Sequence, residues 1–194
     1  MENFSYDYMP QGRELIGGEW VGEIDYEIIR GEKVYMVPAP NISHGIIVGR
    51  LVTMFNIYIW EHDIDAFTLA DNADVYLADG SHFRPDVSVV VRKSSVINKE
   101  KFINGAPDLV VEVLSESTKK NDVGKKKDDY EKYGVKEYWI VDPENRSVTV
   151  YHNIEGSFTI GDEYKINTDK TSIKVSIFDD LTVDIRNIFK WWLD

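Results

Sequence analysis

The chain has 194 residues, with 34 Asp and Glu against 22 Lys and Arg, so its formal net charge is −12. Hydrophobic residues make up 43% and aromatic residues 12% of the chain, which is enough for a buried core and excludes a disordered protein. Cysteine is absent, which excludes disulfides, thiolate zinc sites and a cysteine nucleophile.

The termini and the apolar stretches bear on where the protein acts. The first ten residues are acidic and lack the apolar core of a signal peptide. The most apolar stretch, GIIVGRLVTMF, is interrupted by Arg50 and is too short to cross a bilayer. We therefore expect a cytoplasmic protein without a membrane partner, in which residues 1–194 form one domain.

A β-hairpin and a long helix are the first elements predicted along the chain. The strands YEIIR and KVYMV flank Gly31-Glu32, which indicates a two-residue turn of type II′. Asn41 or Ser43 can then cap a helix that runs to about Trp60. The apolar residues that recur in it at helical spacing are Ile47, Leu51, Phe55 and Tyr58.

Four strands and a second helix are predicted in the middle of the chain. DAFTLA and ADVYLAD are typical of strands on either side of Asp71-Asn72. RPDVSVVVR and APDLVVEVLS are nearly continuous apolar runs, which predict central strands covered on both faces. The helix near Asn121 to Tyr133 should end at Gly134, a residue suited to a left-handed cap.

The last part of the chain alternates between further strands and a terminal helix. VKEYWIVD and SVTVYH predict strands joined by the turn PENR, and DIRNIFKWWLD predicts a short amphipathic helix. The order of elements predicts an α/β or α+β fold, in which a mixed β-sheet is flanked by helices and preceded by an N-terminal β-hairpin.

The candidate functional residues are acids that lie inside strands where apolar residues are expected. Alternation along PDLVVEVLS places Asp108 and Glu112 on one face, and Glu112 has apolar neighbours on both sides. An ionised carboxylate buried there is costly unless a cation or hydrogen-bond donors compensate it. Asp108 lies about 13 Å from Glu112 along the strand, too far to share one metal ion.

A second acid, Asp86, begins the strand RPDVSVVV. If the two strands pair, Asp86 and Glu112 approach each other at one end of the sheet, and two such oxygen ligands suit a magnesium ion. The alternative is that Asp86 ends a turn and Glu112 bonds to a neighbouring loop.

The helix NDVGKKKDDYEKYG supplies a candidate cation. Asp122, Lys126 and Tyr130 follow one helical stripe, so Lys126 should face the sheet with the tyrosine. Lys125 should face solvent, and the spacing does not decide which way Lys127 faces. An ordinary ion pair between Asp122 and Lys126 is the alternative to a functional lysine.

The basic residues are unevenly distributed. Residues 92–136 contain 11 of the 22 basic residues and only 8 of the 34 acids. This segment is either a solvated lysine-rich helix or a basic face on an otherwise acidic protein.

Three stretches carry a resemblance to a known family: PAPNISH, RPD, and GAPDLVVEVLSESTKKNDVGKKKDDYEKYGVKEYWIVDP. Together they resemble the Uma-type restriction endonuclease family, which is placed in the PD-(D/E)XK nuclease superfamily. The resemblance runs from about Tyr26 to Asp184. It implies a restriction-endonuclease-like core and a magnesium-dependent phosphodiesterase site.

The resemblance also implies roles for particular residues. Asp86 matches the aspartate of the PD motif and Glu112 matches the strand glutamate, so both would bind the metal. Leu114 stands where the superfamily usually has lysine, and Lys126 matches the position to which the lysine of this family has moved. His44 matches a helix position where related nucleases often carry an auxiliary acid, and a purely structural histidine is the alternative.

These observations predict a metal-dependent endonuclease that hydrolyses phosphodiester bonds of nucleic acid, with DNA as the expected substrate. Mg²⁺ would be the cofactor and Mn²⁺ a substitute. A homodimer is one possible assembly, since nucleases that cut both strands are commonly dimers and the aromatic end at 191–194 could dock a partner. The alternative, favoured by the net charge of −12, is a catalytically silent nuclease-fold module that acts as a binding or structural protein.

Overall fold

The computed structural model describes residues 15–16, 19–20, 26–35, 42–70, 73–91, 97–98, 102–115 and 119–190. The predicted cap Asn41, the turn at 71–72 and the aromatic end at 191–194 lie outside these ranges. The strands are β1 (Leu15–Ile16), β2 (Glu19–Trp20), β3 (Tyr26–Ile29), β4 (Glu32–Tyr35), β5 (Ala66–Ala70), β6 (Val75–Tyr76), β7 (His82–Phe83), β8 (Val87–Val91), β9 (Ile97–Asn98), β10 (Phe102–Asn104), β11 (Leu109–Val113), β12 (Glu137–Asp142), β13 (Ser147–Ile154), β14 (Ser157–Lys165), β15 (Ser172–Lys174) and β16 (Thr182–Asp184). The helices are α1 (Ile42–Glu61), α2 (Lys119–Asp122), α3 (Lys125–Tyr133) and α4 (Ile185–Ile188).

A central six-stranded sheet has the spatial order β14-β13-β12-β11-β8-β5. Strand β11 pairs in parallel with β12 and antiparallel with β8, so the sheet is mixed, as predicted. All five residues of β11 are buried, because the strand has a neighbour on each side and is covered on both faces.

A second sheet has the order β4-β3-β7-β6-β10-β9. The two strands predicted on either side of residues 71–72 therefore belong to different sheets, since β5 pairs with β8 and β6 pairs with β7 and β10. Two further ladders join β1 to β2 and β15 to β16.

The predicted N-terminal hairpin is present, but its turn differs from the prediction. Ile29 pairs with Glu32, so the turn residues are Arg30-Gly31 and not Gly31-Glu32. Their φ angles are 52° and 82°, which is the pattern of a type I′ turn rather than type II′. Because type I′ requires positive φ at both positions, Gly31 occupies the second turn position and Arg30 takes the strained first one.

Helix α1 packs against β5, β8 and β11 through its buried residues, which include Ile47, Leu51 and Phe55. Its extent agrees with the predicted helix, although Ser43 lies inside it and not at its cap. The stretch predicted to be too short to cross a bilayer lies within α1, which at 20 residues is long and apolar enough to do so by length and composition, as core helices of soluble proteins also are. The cytoplasmic location and the single domain stay predictions.

The second predicted helix is divided into α2 and α3. The interruption falls at Gly124, whose backbone angles are not helical, and a Cβ there would lie 2.9 Å from the carbonyl oxygen of Lys120. Gly134 ends α3 in the left-handed conformation with φ 89°, as predicted. Helix α4 ends at Ile188, because the backbone angles of Phe189 (φ −97°, ψ 11°) are not helical, and residues 191–194 of the predicted helix lie outside the described ranges.

Two hydrophobic cores lie on opposite faces of the central sheet. The odd-numbered residues of β11, such as Val111, join the core that contains α1. Val110 joins the core that contains Tyr130 of α3 and residues of the second sheet. Glu112 alternates with Val111 and Val113, so β11 directs it to the side of α3 and the second sheet.

Candidate active site

Glu112 and Lys126 meet between the central sheet and α3. Lys126 Nζ lies 3.1 Å from Glu112 Oε1, and the two side chains are only 4% and 3% exposed. The hydroxyl of Tyr130, one helical turn beyond Lys126, donates to the same Oε1 at 3.2 Å. The stripe predicted to face the sheet does so.

The neighbouring lysines of α3 point elsewhere. Lys125 Nζ lies 2.7 Å from the exposed carboxylate of Glu32, so this lysine is at the surface but bound to the hairpin. Lys127 Nζ lies over the rings of Tyr151 and Phe158, at 5.0 Å and 5.9 Å from their centroids. Of these three lysines, Lys126 is the one that reaches Glu112.

Asp86 immediately precedes β8, next to the ladder pair of Val87 and Val111. The same register places Asp86 opposite Glu112. Asp86 Oδ2 accepts a hydrogen bond of 2.6 Å from the N–H of Val113, the residue after Glu112. The structure therefore brings the two predicted metal ligands together on adjacent strands.

His44 approaches Asp86 from α1. Its Nε2 lies 3.1 Å from Asp86 Oδ1, and the imidazole is 9% exposed whereas the carboxylate is 18% exposed. The predicted auxiliary residue is thus placed beside a predicted metal ligand. Asp86 is more open to solvent than Glu112, so the site is most accessible from the side of Asp86 and His44.

Two further carboxylates contact Lys126. Glu27 Oε1 lies 2.8 Å from Lys126 Nζ, and Asp122 Oδ1 lies 3.4 Å from it. The ion pair between Asp122 and Lys126 that was predicted as an alternative is therefore present, together with the contact to Glu112. Glu27 was not predicted as a site residue, although it is an acid within the apolar strand YEIIR, and an acid within an apolar strand is the signal that identified Glu112.

The charged groups in this cluster shift the pKa values of Glu112 and Lys126. Burial raises the pKa of Glu112 well above its usual value, and Asp122, Asp86 and Glu27 add to the rise while Lys126 opposes it. Burial by itself would lower the pKa of Lys126, but the surrounding carboxylates, Glu112 first, hold it well above its usual value. The cluster combines an ammonium with an excess of carboxylates.

Asp108 is separate from this cluster, as expected from its distance along the strand. Its Oδ2 accepts from the N–H of Val91 and its Oδ1 accepts from Lys136 Nζ, at 2.8 Å and 2.7 Å. These bonds tie the start of β11 to β8 and to the residue before β12, which is a structural role.

The donor atoms in the cluster suit a hard divalent cation. Asp86 and Glu112 offer carboxylate oxygens where negative charge is in excess, and Mg²⁺ commonly uses one or two carboxylates with water and phosphate. Within the described part of the chain, no group of three or more His, Asp or Glu residues is arranged to hold a metal. The residues therefore fit a metal held by two side chains and completed by solvent and substrate, and not a closed all-protein site.

Comparisons with known proteins identify the family and the fold of the chain. The Uma2 family model, described as "Putative restriction endonuclease", matches residues 20–185. Among solved structures, the chain is similar to a putative nuclease belonging to DUF820 from Anabaena variabilis, with a TM-score of 0.70 and 22% identity, over 86% of this chain and 90% of that chain. No curated protein matches.

At 22% identity the structural similarity shows the fold, which is restriction-endonuclease-like and confirms the predicted fold class. The family match covers most of the chain and confirms the resemblance seen in the sequence. This chain belongs to the Uma2 family of putative restriction endonucleases.

Proposed function

We propose that the protein is a metal-dependent endonuclease that hydrolyses phosphodiester bonds of DNA. The observation that carries the proposal is the meeting of Asp86, Glu112 and Lys126 at one end of adjacent strands β8 and β11. Family and fold support a nuclease, and hence a nucleic acid substrate, independently of these contacts.

Asp86 and Glu112 would hold Mg²⁺, or Mn²⁺ in its place, and this ion would supply Lewis-acid activation of the phosphate and of the attacking water. The two carboxylates are oriented in advance: Asp86 by His44 and Val113, and Glu112 by Tyr130 and Lys126. Such preorganisation lowers the cost of assembling the reacting groups.

Lys126 would stabilise the negative charge that develops on the phosphate in the transition state. The surrounding carboxylates keep the pKa of its ammonium high, so Lys126 is charged at neutral pH. Because Lys126 is buried, a charge-assisted hydrogen bond from its ammonium to the phosphate would be stronger than the same bond in water.

His44 would act as an auxiliary residue by orienting Asp86. A histidine on Oδ1 and a backbone N–H on Oδ2 restrict rotation of the carboxylate, which is the usual effect of an outer partner on a metal ligand.

One observation favours a second candidate, a catalytically silent nuclease-fold module. Lys126 is buried and contacts three carboxylates, so its charge is already compensated within the protein. A net charge of −12 also opposes binding to nucleic acid. A divalent cation would reduce this repulsion at the site, which is why we retain the enzyme as the first proposal.

The test is incubation of the protein with supercoiled plasmid, single-stranded DNA and RNA, each with Mg²⁺, Mn²⁺ or EDTA. We expect metal-dependent cutting of DNA that Asp86→Ala abolishes. Absence of cutting with every substrate and metal, or equal cutting by Asp86→Ala, would favour the silent module. The substrate comparison separates DNA from RNA in the same experiment.

A further inference from the structure

Glu27 makes the shortest of the three carboxylate contacts to Lys126, at 2.8 Å against 3.1 Å for Glu112 and 3.4 Å for Asp122. It lies on β3 of the second sheet, apart from the strands that carry Asp86 and Glu112. We propose that Glu27 is a positioning residue that holds the ammonium of Lys126 in the active site. This inference rests on the proposed nuclease function.

The position of Glu27 is itself fixed relative to Asp86. The same oxygen, Oε1, that contacts Lys126 also accepts a 2.8 Å hydrogen bond from the N–H of Arg84. Arg84 precedes Asp86 by two residues, so Glu27 joins Lys126 to the backbone segment that carries Asp86. The ammonium of Lys126 on α3 is thereby held at a fixed position relative to the segment that carries Asp86.

The hairpin that carries Glu27 is attached to α3 by ion pairs next to Lys126 in sequence. Arg30 Nε donates to Asp129 Oδ1 at 2.9 Å, and Lys125 Nζ donates to Glu32 Oε2 at 2.7 Å. The Asp129 side chain is 3% exposed, so its pair with Arg30 is partly shielded from solvent. The shielded pair of Arg30 and Asp129 keeps the hairpin, and with it Glu27, in place against the helix, whereas the exposed pair of Lys125 and Glu32 contributes little.

The charge of Glu27 has a specific consequence for Lys126. A flexible lysine side chain must be held if its ammonium is to meet a phosphate in the transition state, because a small displacement of a catalytic group costs much of its effect. Glu27 supplies an anchor that is separate from the proposed metal ligands. Removal of its charge should therefore lower kcat with little effect on substrate binding.

Glu27→Gln tests this role because the amide oxygen can still accept from Arg84. We expect kcat on plasmid DNA to fall by about ten- to a hundred-fold, because Lys126 loses a charged partner, with KM and the Mn²⁺ affinity nearly unchanged. Glu32→Gln is the matched control, since it removes an exposed carboxylate of the same hairpin. If Glu27 acts through Lys126, Glu27→Gln should have no further effect in a Lys126→Ala background.

A chemical measurement tests the same contact without activity. Acetylation by an N-hydroxysuccinimide ester, followed by mass spectrometry, should label Lys126 more slowly than Lys125 or Lys127 in the wild type. In Glu27→Gln the labelling of Lys126 should rise by about ten-fold, whereas Glu32→Gln should leave it unchanged. Glu27→Asp keeps the charge and should therefore protect Lys126 from labelling better than Glu27→Gln does. It replaces Glu27→Gln in this measurement if Glu27→Gln does not fold.

The outcomes separate the two proposals. A wild-type kcat in Glu27→Gln, or an equal loss with and without Lys126, would overturn the positioning role. If the wild-type protein cuts no substrate, the proposed function fails and the labelling decides alone. Unchanged labelling of Lys126 would then overturn the role of Glu27, and increased labelling would support it.

Discussion

His44 Nε2 lies 3.1 Å from Asp86 Oδ1, which joins α1 to the end of β8. The other oxygen of Asp86 accepts from the N–H of Val113. The carboxylate is thus held from the helix on one side and from the neighbouring strand on the other. A cation that binds Asp86 would meet a side chain whose orientation is already determined.

Replacement of His44 by alanine should weaken metal binding. Loss of an outer partner typically costs a metal site about ten- to a hundred-fold in affinity, and we expect the lower value because Val113 still holds Asp86. Calorimetric titration with Mn²⁺ measures the effect. His62→Ala is the control, since that ring is exposed at the end of α1 and stacks on Tyr58. Wild-type affinity in His44→Ala would assign His44 a structural role.

Replacement of Asp86 by asparagine should stabilise the metal-free protein. Asp86 is one of the carboxylates that raise the pKa of Glu112, so the folded state contains repulsion between them at neutral pH. Asparagine removes the charge and can still accept from Val113. We expect a gain of about 1 kcal/mol, or roughly 2–4 °C in Tm for a chain of this size. Burial and Asp122 contribute more than Asp86 to the raised pKa, which limits the gain.

The same variant should lose the stabilisation that a metal provides. The proposed binding of Mn²⁺ to the folded state should raise the Tm of the wild type, and Asp86→Asn should reduce or abolish that rise. Thermal melts of both proteins with EDTA and with excess Mn²⁺ measure both effects. A variant that melts lower in EDTA and gains as much from Mn²⁺ as the wild type would show that Asp86 is a structural turn residue.

Features that depend on local pattern were predictable from the sequence. Alternation along β11 directs Glu112 to the side of α3, helical spacing directs Lys126 to the sheet, and Gly134 ends the helix. The approach of Asp86 to Glu112 required one additional assumption, that β8 and β11 pair. The long apolar runs supported this assumption because two such strands bury most surface as neighbours in a central sheet.

Features that depend on packing between distant segments were not predictable. Glu27 and Lys126 are far apart in sequence, and their contact depends on how the second sheet packs against α3. The hairpin turn was predicted one residue too far along the chain, because composition alone did not distinguish Arg30-Gly31 from Gly31-Glu32. The division between α2 and α3 at Gly124 was missed because an isolated glycine is compatible with a continuous helix.

Replacement of Lys126 by alanine should affect both activity and stability. Removal of the ammonium leaves buried carboxylates unpaired, which typically costs about 3–5 kcal/mol, although protonation of Glu112 would relieve part of it. The cutting rate should fall strongly in the protein that remains folded, because the proposed role of Lys126 is to stabilise the transition state. Urea unfolding and cutting assays below the Tm measure the two effects.

Lys125→Ala and Lys127→Ala are the matched controls for Lys126, since the three lysines are adjacent on α3. Lys125 pairs with the exposed Glu32, and Lys127 lies over aromatic rings, so neither change should remove the proposed catalytic charge. A loss of activity confined to Lys125→Ala or Lys127→Ala would assign the catalytic charge to a different lysine.

Asp74 should contribute stability that is lost in acid. Its Oδ1 lies 2.9 Å from His82 Nε2 and accepts from Arg84 Nε at 2.6 Å. Burial by itself would raise the pKa of Asp74, but these two partners outweigh it and hold the pKa below the ordinary 3.8. A carboxylate with a lowered folded pKa stabilises the protein above its unfolded pKa, and this contribution disappears as the pH falls through the folded pKa.

Asp74→Asn should therefore lower the free energy of unfolding by about 1 kcal/mol near pH 5, a value that allows for the partial exposure of the pair. The difference from the wild type should shrink as the pH falls below the ordinary pKa of 3.8, because the wild-type carboxylate then becomes protonated as well. Urea unfolding of both proteins across the acidic range gives this difference directly. Asp169→Asn, at an exposed position, is the control and should show a small difference at every pH. A difference for Asp74→Asn that stays constant through the acidic range would mean that asparagine disturbs packing around His82 and Arg84, and that the charge of Asp74 contributes little.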